Sequence, residues 1–263
     1  MKLVSKISSG FVTKYKFMTN DNYIIENVYV DRPEKNIICL SSLIGCSINC
    51  KFCKAEEFIR SITLEELEDQ FQTIKKYINN RKLVLVSFMG VGDITLNSNA
   101  SKILQKFSTI ADKVAFSTIV PSITAFAFLM LNIKDLSNLK IQFSVHSLDP
   151  KERKYIFGHD VPLYHVSSAI TFLKQLNFTN FELNYMLIDN VNDSLNHSKK
   201  LSETFGKYYI KLNRYNETIS EFKYSKREQT FLDDLLSSGC QAELYQTDGQ
   251  DIAACCGQLT NSL

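Results

Sequence analysis

Ile37-Ile-Cys39-Leu-Ser-Ser-Leu-Ile-Gly45-Cys46-Ser-Ile-Asn-Cys50-Lys-Phe52-Cys53 is the passage from which the rest of the chain can be ordered. It opens with a short apolar strand, Ile37 to Leu40, which runs into a loop carrying Cys46, Cys50 and Cys53, with Phe52 beside the last. Three thiolates from one short loop can each hold a different iron of a 4Fe-4S cluster, which leaves the fourth iron free to chelate a small molecule. A zinc knuckle is the plainer alternative, and a set of unrelated buried thiols is another. Zinc normally asks for a fourth Cys or His close by, and none occurs between Cys53 and His146.

Upstream of the loop, Phe11 to Val30 is extended in character on either side of Asn20-Asp21-Asn22, turn residues that would join two strands as a hairpin. Downstream, Thr63 and Glu66 spell a capping box for a helix with apolar residues at Leu64, Leu67, Phe71, Ile74 and Ile78. Strands and helices then alternate. The strands are expected near Leu83 to Met89, Val114 to Thr118, Ile141 to His146, Phe181 to Leu187, Tyr208 to Leu212 and Ala242 to Tyr245. Crossovers of this length return every strand in the same direction. The expected fold class is therefore α/β, a partial (β/α)6 barrel with an N-terminal β-hairpin extension, residues 1–38 packing on a core domain of residues 39–263. In α/β barrels the chemistry collects at the C-terminal ends of the strands. Cys46 to Cys53, Gly90-Val-Gly92-Asp93, Ser117-Thr118 and Ser144-Val145-His146 each fall at such an end.

With 263 residues, 44% hydrophobic and 22% charged, the chain can bury one large core. Its seven cysteines, with no charged-then-apolar leader at Met1 to Gly10, speak against a secreted disulfide framework and for a cytoplasmic setting. The uncharged run from Val114 to Ile133 includes Ser117, Thr118, Pro121, Ser122, Thr124 and Asn132, so it reads as strand, turn and buried helix and not as a membrane span. A net charge of +2 neither demands nor excludes a nucleic-acid partner. Lys2, Lys6, Lys14 and Lys16 all precede the first acidic residue, Asp21, and could touch phosphates or simply face water.

Taken in order, these motifs resemble the RlmN/Cfr branch of the radical S-adenosylmethionine (SAM) superfamily, methyltransferases of carbon 2 or carbon 8 of adenine in RNA. Cys39 to Cys53 is similar to the branch's cysteine-Val-Ser-Ser-Gln-x-Gly cluster motif. Gly249-Gln-Asp-Ile-Ala-Ala-Cys255-Cys256-Gly-Gln-Leu259 resembles its C-terminal Ala-Cys-Gly-Gln-Leu. Between them Phe88 to Asp93, Phe143 to His146, Met186 to Ser194 and Tyr215-Asn216 follow the family's order.

The resemblance implies a 4Fe-4S cluster on Cys46, Cys50 and Cys53, and SAM held by Gly92, Asp93, Ser117, Ser144, Val145, His146 and Asn216. It implies that Cys256 carries a methyl group taken from one SAM, and that a radical made from a second SAM activates this methyl for addition to the adenine ring. Cys39 would then release the product by forming a transient disulfide with Cys256, and Glu26 would take the ring proton. Cys255 reads as a neighbour in the family's alanine position. Expected partners are ribosomal or transfer RNA and an electron donor such as flavodoxin or ferredoxin, with the chain a monomer away from membranes.

This sequence departs from the family at several places. Asp93 stands where Glu is usual, Ile94 for Pro and Leu43 for Gln, the flanking prolines around Asn213 to Glu217 are missing, and only a short stretch precedes the hairpin where the family has a helical domain. Two other readings stay open: the same methyl-cysteine route on a different substrate, and a degenerate paralogue that keeps the cluster without the reaction.

Overall fold

The computed structural model describes residues 1–78, 81–218, 221–245 and 247–261. Strand β1 (Lys2–Ser9) turns through Gly10 into β2 (Val12–Met18). A second turn leads into β3 (Ile24–Asp31): the Thr19 hydroxyl accepts the Tyr23 N–H at 2.8 Å and Asn22 takes a φ of 66°. This is the hairpin read from Asn20-Asp21-Asn22. β1 was not foreseen, because its residues are almost all exposed and show no burial period.

β3 pairs antiparallel with β4 (Lys35–Cys39). β1 to β3 therefore lengthen the barrel's own sheet edge to edge, and β4, most of which lies before residue 39, is the barrel's first strand. After β4 come a two-residue ladder, β5 (Leu43–Ile44) with β6 (Arg60–Ser61), and helix α1 (Leu64–Lys75). The capping box is present in full, with Thr63 accepting the Glu66 N–H and Glu66 accepting the Thr63 N–H.

The alternation then runs β7 (Leu83–Phe88), α2 (Ala100–Ile110), β8 (Lys113–Thr118), α3 (Ile123–Ile133) and β9 (Leu139–Ser144). It continues through α4 (Pro150–Phe157), α5 (Leu163–Gln175), β10 (Phe181–Leu187), α6 (Leu195–Phe205), β11 (Ile210–Arg214), α7 (Glu228–Ser237) and β12 (Ala242–Tyr245). From β4 through β12 each strand of the main sheet pairs parallel with the next. Six strand-helix units with β12 after them make the (β/α)6 architecture. Among the described residues the sheet has ten strands in the order β1-β2-β3-β4-β7-β8-β9-β10-β11-β12, so β1 and β12 remain edges of a partial barrel.

Period-two alternation divides the strand residues between two environments. Ile38, Val86, Phe88, Val114, Phe116, Ile141 and Leu212 point outward into the core beneath the helices. Their neighbours in sequence, among them Cys39, Ser87, Ser117, Gln142, Asn184 and Lys211, point inward and line a cavity of about 930 Å³. In the outer core Phe107 meets Phe71 and Phe88 edge to face, with ring centroids 5.6 and 5.2 Å away. No helix among the described residues is long and apolar enough to cross a membrane, and Val114 to Ile133 folds as β8, a turn and α3.

Candidate active site

The cysteine loop is closed at its base. Cys46 N–H donates to Glu56 O at 2.8 Å and Ile59 N–H to Ile44 O at 2.8 Å, drawing the two arms together. This closure depends on Gly45, whose φ is +70° and whose Cβ, if it had one, would stand 1.8 Å from Glu57 O. Cys46, Cys50 and Cys53 all border the cavity. Backbone N–H groups of Ile48, Asn49 and Asp93 point at the Cys46 sulfur, and the Ala55 N–H at that of Cys53. Burial raises all three thiols and the amide donors oppose that rise at Cys46 and Cys53.

Among the described residues no three of His, Cys, Asp and Glu converge on one point as a single ion requires. A 4Fe-4S cluster needs each cysteine on a different iron, so three thiols spread around a cavity rim and met by amide donors suit it better than they suit zinc.

The tail that follows β12 crosses this mouth and is fastened on several sides. Asn216 Nδ2 donates to Cys256 O at 3.2 Å, while its Oδ1 accepts from Thr247 and Gln250. Lys54 N–H donates to Gly257 O at 2.7 Å, and Gly45 N–H to Asn261 Oδ1 at 2.9 Å. From the N-terminal part, Arg32, just after β3, pairs with Asp248 at 2.5 Å, and Lys14 Nζ on β2 donates to Ala253 O.

So held, both Cys255 and Cys256 border the cavity; Cys256 is exposed, whereas Cys255 is buried with its thiol donating to Asp248 O. The protein atoms packed around the Cys256 sulfur still desolvate it. Desolvation therefore raises its pKa, and the Lys211 ammonium on β11 pulls it back down. Cys39, at the end of β4, lines the same cavity and is pushed up to about 12 by burial first and Cys256 second. All seven cysteines are free, so this pair is not joined in the state observed.

The other residues singled out in the sequence divide. Ser117 and Ser144 face the cavity with their hydroxyls 3.0 Å apart. His146 faces it too, and ends β9 two residues earlier than expected by taking a φ of 58°. Its Nδ1 accepts the Met186 N–H at 3.1 Å and burial lowers it to about 3, so the ring is neutral with its proton on Nε2. Phe52 packs edge-on to this ring at 5.5 Å.

Gly92 (φ +96°) and Asp93 line the cavity as well. The Asp93 carboxylate takes four donors of its own: Thr95 N–H and hydroxyl, Thr118 hydroxyl and Ile119 N–H. It ties the end of β7 to the end of β8.

Two placements need correcting. Val145 lies between two inward-facing residues, so its side chain points into the core, its N–H donates to Asn184 O and its carbonyl accepts from Arg153. It offers nothing to the cavity. Glu26 does not reach the wall either: it is buried beneath the tail, accepting the Thr260 N–H at 3.1 Å and pairing with Lys14 at 3.2 Å and Lys16 at 3.5 Å.

The reading of the sequence missed two groups. Arg153, on α4, is fully buried and donates to Val145 O, Ser147 O and Val161 O, which holds the turn at His146. The inward row Gln142, Glu182, Asn184 and Lys211 makes the far wall polar. Its signal was available as polar residues at every second position of otherwise apolar strands.

A family model for the radical SAM superfamily matches residues 40–200. The chain belongs to the radical SAM superfamily. Within it, the chain belongs to the RlmN family. A Thermotoga petrophila protein named as a probable dual-specificity RNA methyltransferase RlmN is 30% identical over 275 residues, covering 98% of this chain and 78% of that protein. A protein of the same name from Chlorobaculum tepidum is 27% identical over 277 residues, covering 97% of this chain and 72% of its own. The fold of this radical SAM protein matches the crystal structure of a radical SAM methyltransferase from Sphaerobacter thermophilus with a TM-score of 0.87 at 22% identity, over 98% of this chain and 80% of that one.

Proposed function

We propose that this radical SAM protein methylates a ring carbon of adenine in RNA, carbon 2 or carbon 8, by way of a methyl group carried on Cys256. The observation that carries the reading is that Cys256 and Cys39, far apart in sequence, open onto one cavity rimmed by Cys46, Cys50 and Cys53. RNA as substrate is supported by the RlmN relatives, whose names specify it.

Cys46, Cys50 and Cys53 would hold the 4Fe-4S cluster. Bound together, cluster and SAM would supply the methyl group and the carbon radical that an electrophilic ring carbon requires. The side chains supply the rest. Lys211 favours the thiolate of Cys256, the form that accepts a methyl, and Asn216 fixes the backbone from which that sulfur projects. Gly92, Asp93, Ser117, Ser144 and the Nε2–H of His146 give the nucleoside and amino-acid parts of SAM a polar surface.

Once the methyl carbon is bonded to the ring, the Cys39 thiolate attacks the sulfur of Cys256. A sulfur–sulfur bond forms and the sulfur–carbon bond breaks with its electron pair leaving on carbon, which takes a proton from water to become the product methyl group; the displaced ring hydrogen is lost to water as a proton, and a dithiol reductant later reopens the disulfide. Glu26 lies behind the tail, so we reassign it from proton acceptor to anchor of the segment that bears Cys256.

Nucleoside mass spectrometry of RNA incubated with reconstituted protein and methyl-labelled SAM tests this reading. Label in methyladenosine is expected; cleavage of SAM with no label in any RNA would overturn it.

A further inference from the structure

We infer that Asn184 reads the 6-amino group of an adenine brought into the cavity, with Lys211 supplying the neighbouring donor. Adenine as the base rests on the function proposed above; the presence of a reader rests on the wall itself.

A chain of polar contacts crosses β9 and β10 on the inner face. Lys140 pairs with Glu182, Gln142 Nε2 donates to the same carboxylate, and Asn184 Nδ2 donates to Gln142 Oε1 at 2.8 Å. The order of this chain is dictated from its ionic end. A carboxylate only accepts, so Gln142 must turn its amide nitrogen to Glu182 and its oxygen to Asn184. Asn184 must answer with its own nitrogen, which leaves its carbonyl facing away. That oxygen has no hydrogen-bond partner among the described residues and almost no surface open to solvent, on a residue only 8% exposed that lines the cavity. Buried acceptors are rarely left unmet, and here a paired Lys and Glu hold one in a single orientation.

The neighbour in register is Lys211, paired with Asn184 across β10 and β11, with its ammonium 3.8 Å from the centroid of the Tyr245 ring. An acceptor beside a donor matches the edge of adenine, where the amino group stands next to a ring nitrogen that accepts. Guanine and hypoxanthine place a carbonyl where adenine has the amino group, so they would set oxygen against the Asn184 oxygen. Cytosine shares the amino group, and the choice between the two follows from the proposed function.

SAM carries the same adenine edge as the substrate base. Equilibrium dialysis of the full chain with labelled adenosine and inosine, with and without excess SAM, tests the inference and separates the two sources. The wild-type chain should hold adenosine at least about tenfold more tightly than inosine, and Asn184→Leu should lose that preference. If excess SAM displaces the adenosine, the reader serves SAM; if adenosine stays, it serves the substrate base. Equal binding of adenosine and inosine by the wild type, which needs no variant to fold, would overturn the inference, as would an undiminished preference in Asn184→Leu. None of these readouts depends on turnover. RNA left unmethylated would refute the proposed reaction and leave the preference for adenosine standing.

Discussion

Cys39 makes the sharpest demand on pH. Burial is the larger of the two causes that raise its thiol and persists when Cys256 is alkylated and uncharged, so at neutral pH almost all of it is protonated. Because a raised pKa leaves the thiolate fraction growing tenfold with each pH unit below it, release of the RNA adduct from Cys256 should quicken about tenfold per unit between about pH 7 and pH 9. Rapid-quench measurement of the adduct decides this, and a flat rate would remove Cys39 from the step. Cys39→Ala should purify with RNA joined to Cys256 and not to Cys255, as peptide mass spectrometry would show. His146, held near 3, stays neutral throughout this range and contributes no inflection.

At the scale of elements, the loop and helix around the cysteines make two separable predictions. Gly45→Ala places a methyl group against Glu57 O, so the loop cannot close as observed and iron bound per chain after anaerobic reconstitution should fall to near zero. Thr63→Ala removes one half of the capping box and should cost about 1 kcal/mol in chemical denaturation while leaving iron content unchanged. The closure at Gly45 was not legible in sequence, because it depends on where Glu57 O comes to lie. The cysteine spacing and the capping box were, since both are local. The hairpin at Asn22 and the alternation of strand and helix were legible for the same reason. β1 was not, because it adds to an edge and buries too little to leave a pattern. Nor were the carboxylate of Asp93, which stitches two strand ends together, or Glu26, which is covered by residues more than two hundred positions away. These depend on contacts that no spacing records.

For the molecule as a whole, the tail is the element on which the proposed chemistry hangs, and its anchors are spread over β2, the residue just after β3, the cysteine loop and the end of β11. Asn216→Ala removes three of these bonds at once. Limited proteolysis should then cut the tail faster near residues 248–256, with little change in the melting of the barrel, because the outer core is untouched. Equal cutting of variant and wild type would mean that the other anchors suffice.

The cavity draws its lining from two sets of elements. The sulfurs come from β4, the cysteine loop and the tail, whereas the carbonyl and ammonium that meet a base come from β10 and β11, steadied by β9. What reacts and what selects are thus borne by different stretches of the gene. Exchanges along Gln142 and Asn184 would redirect such an enzyme toward a new nucleobase without disturbing its thiol chemistry, whereas Lys211, which also faces Cys256, would have to stay.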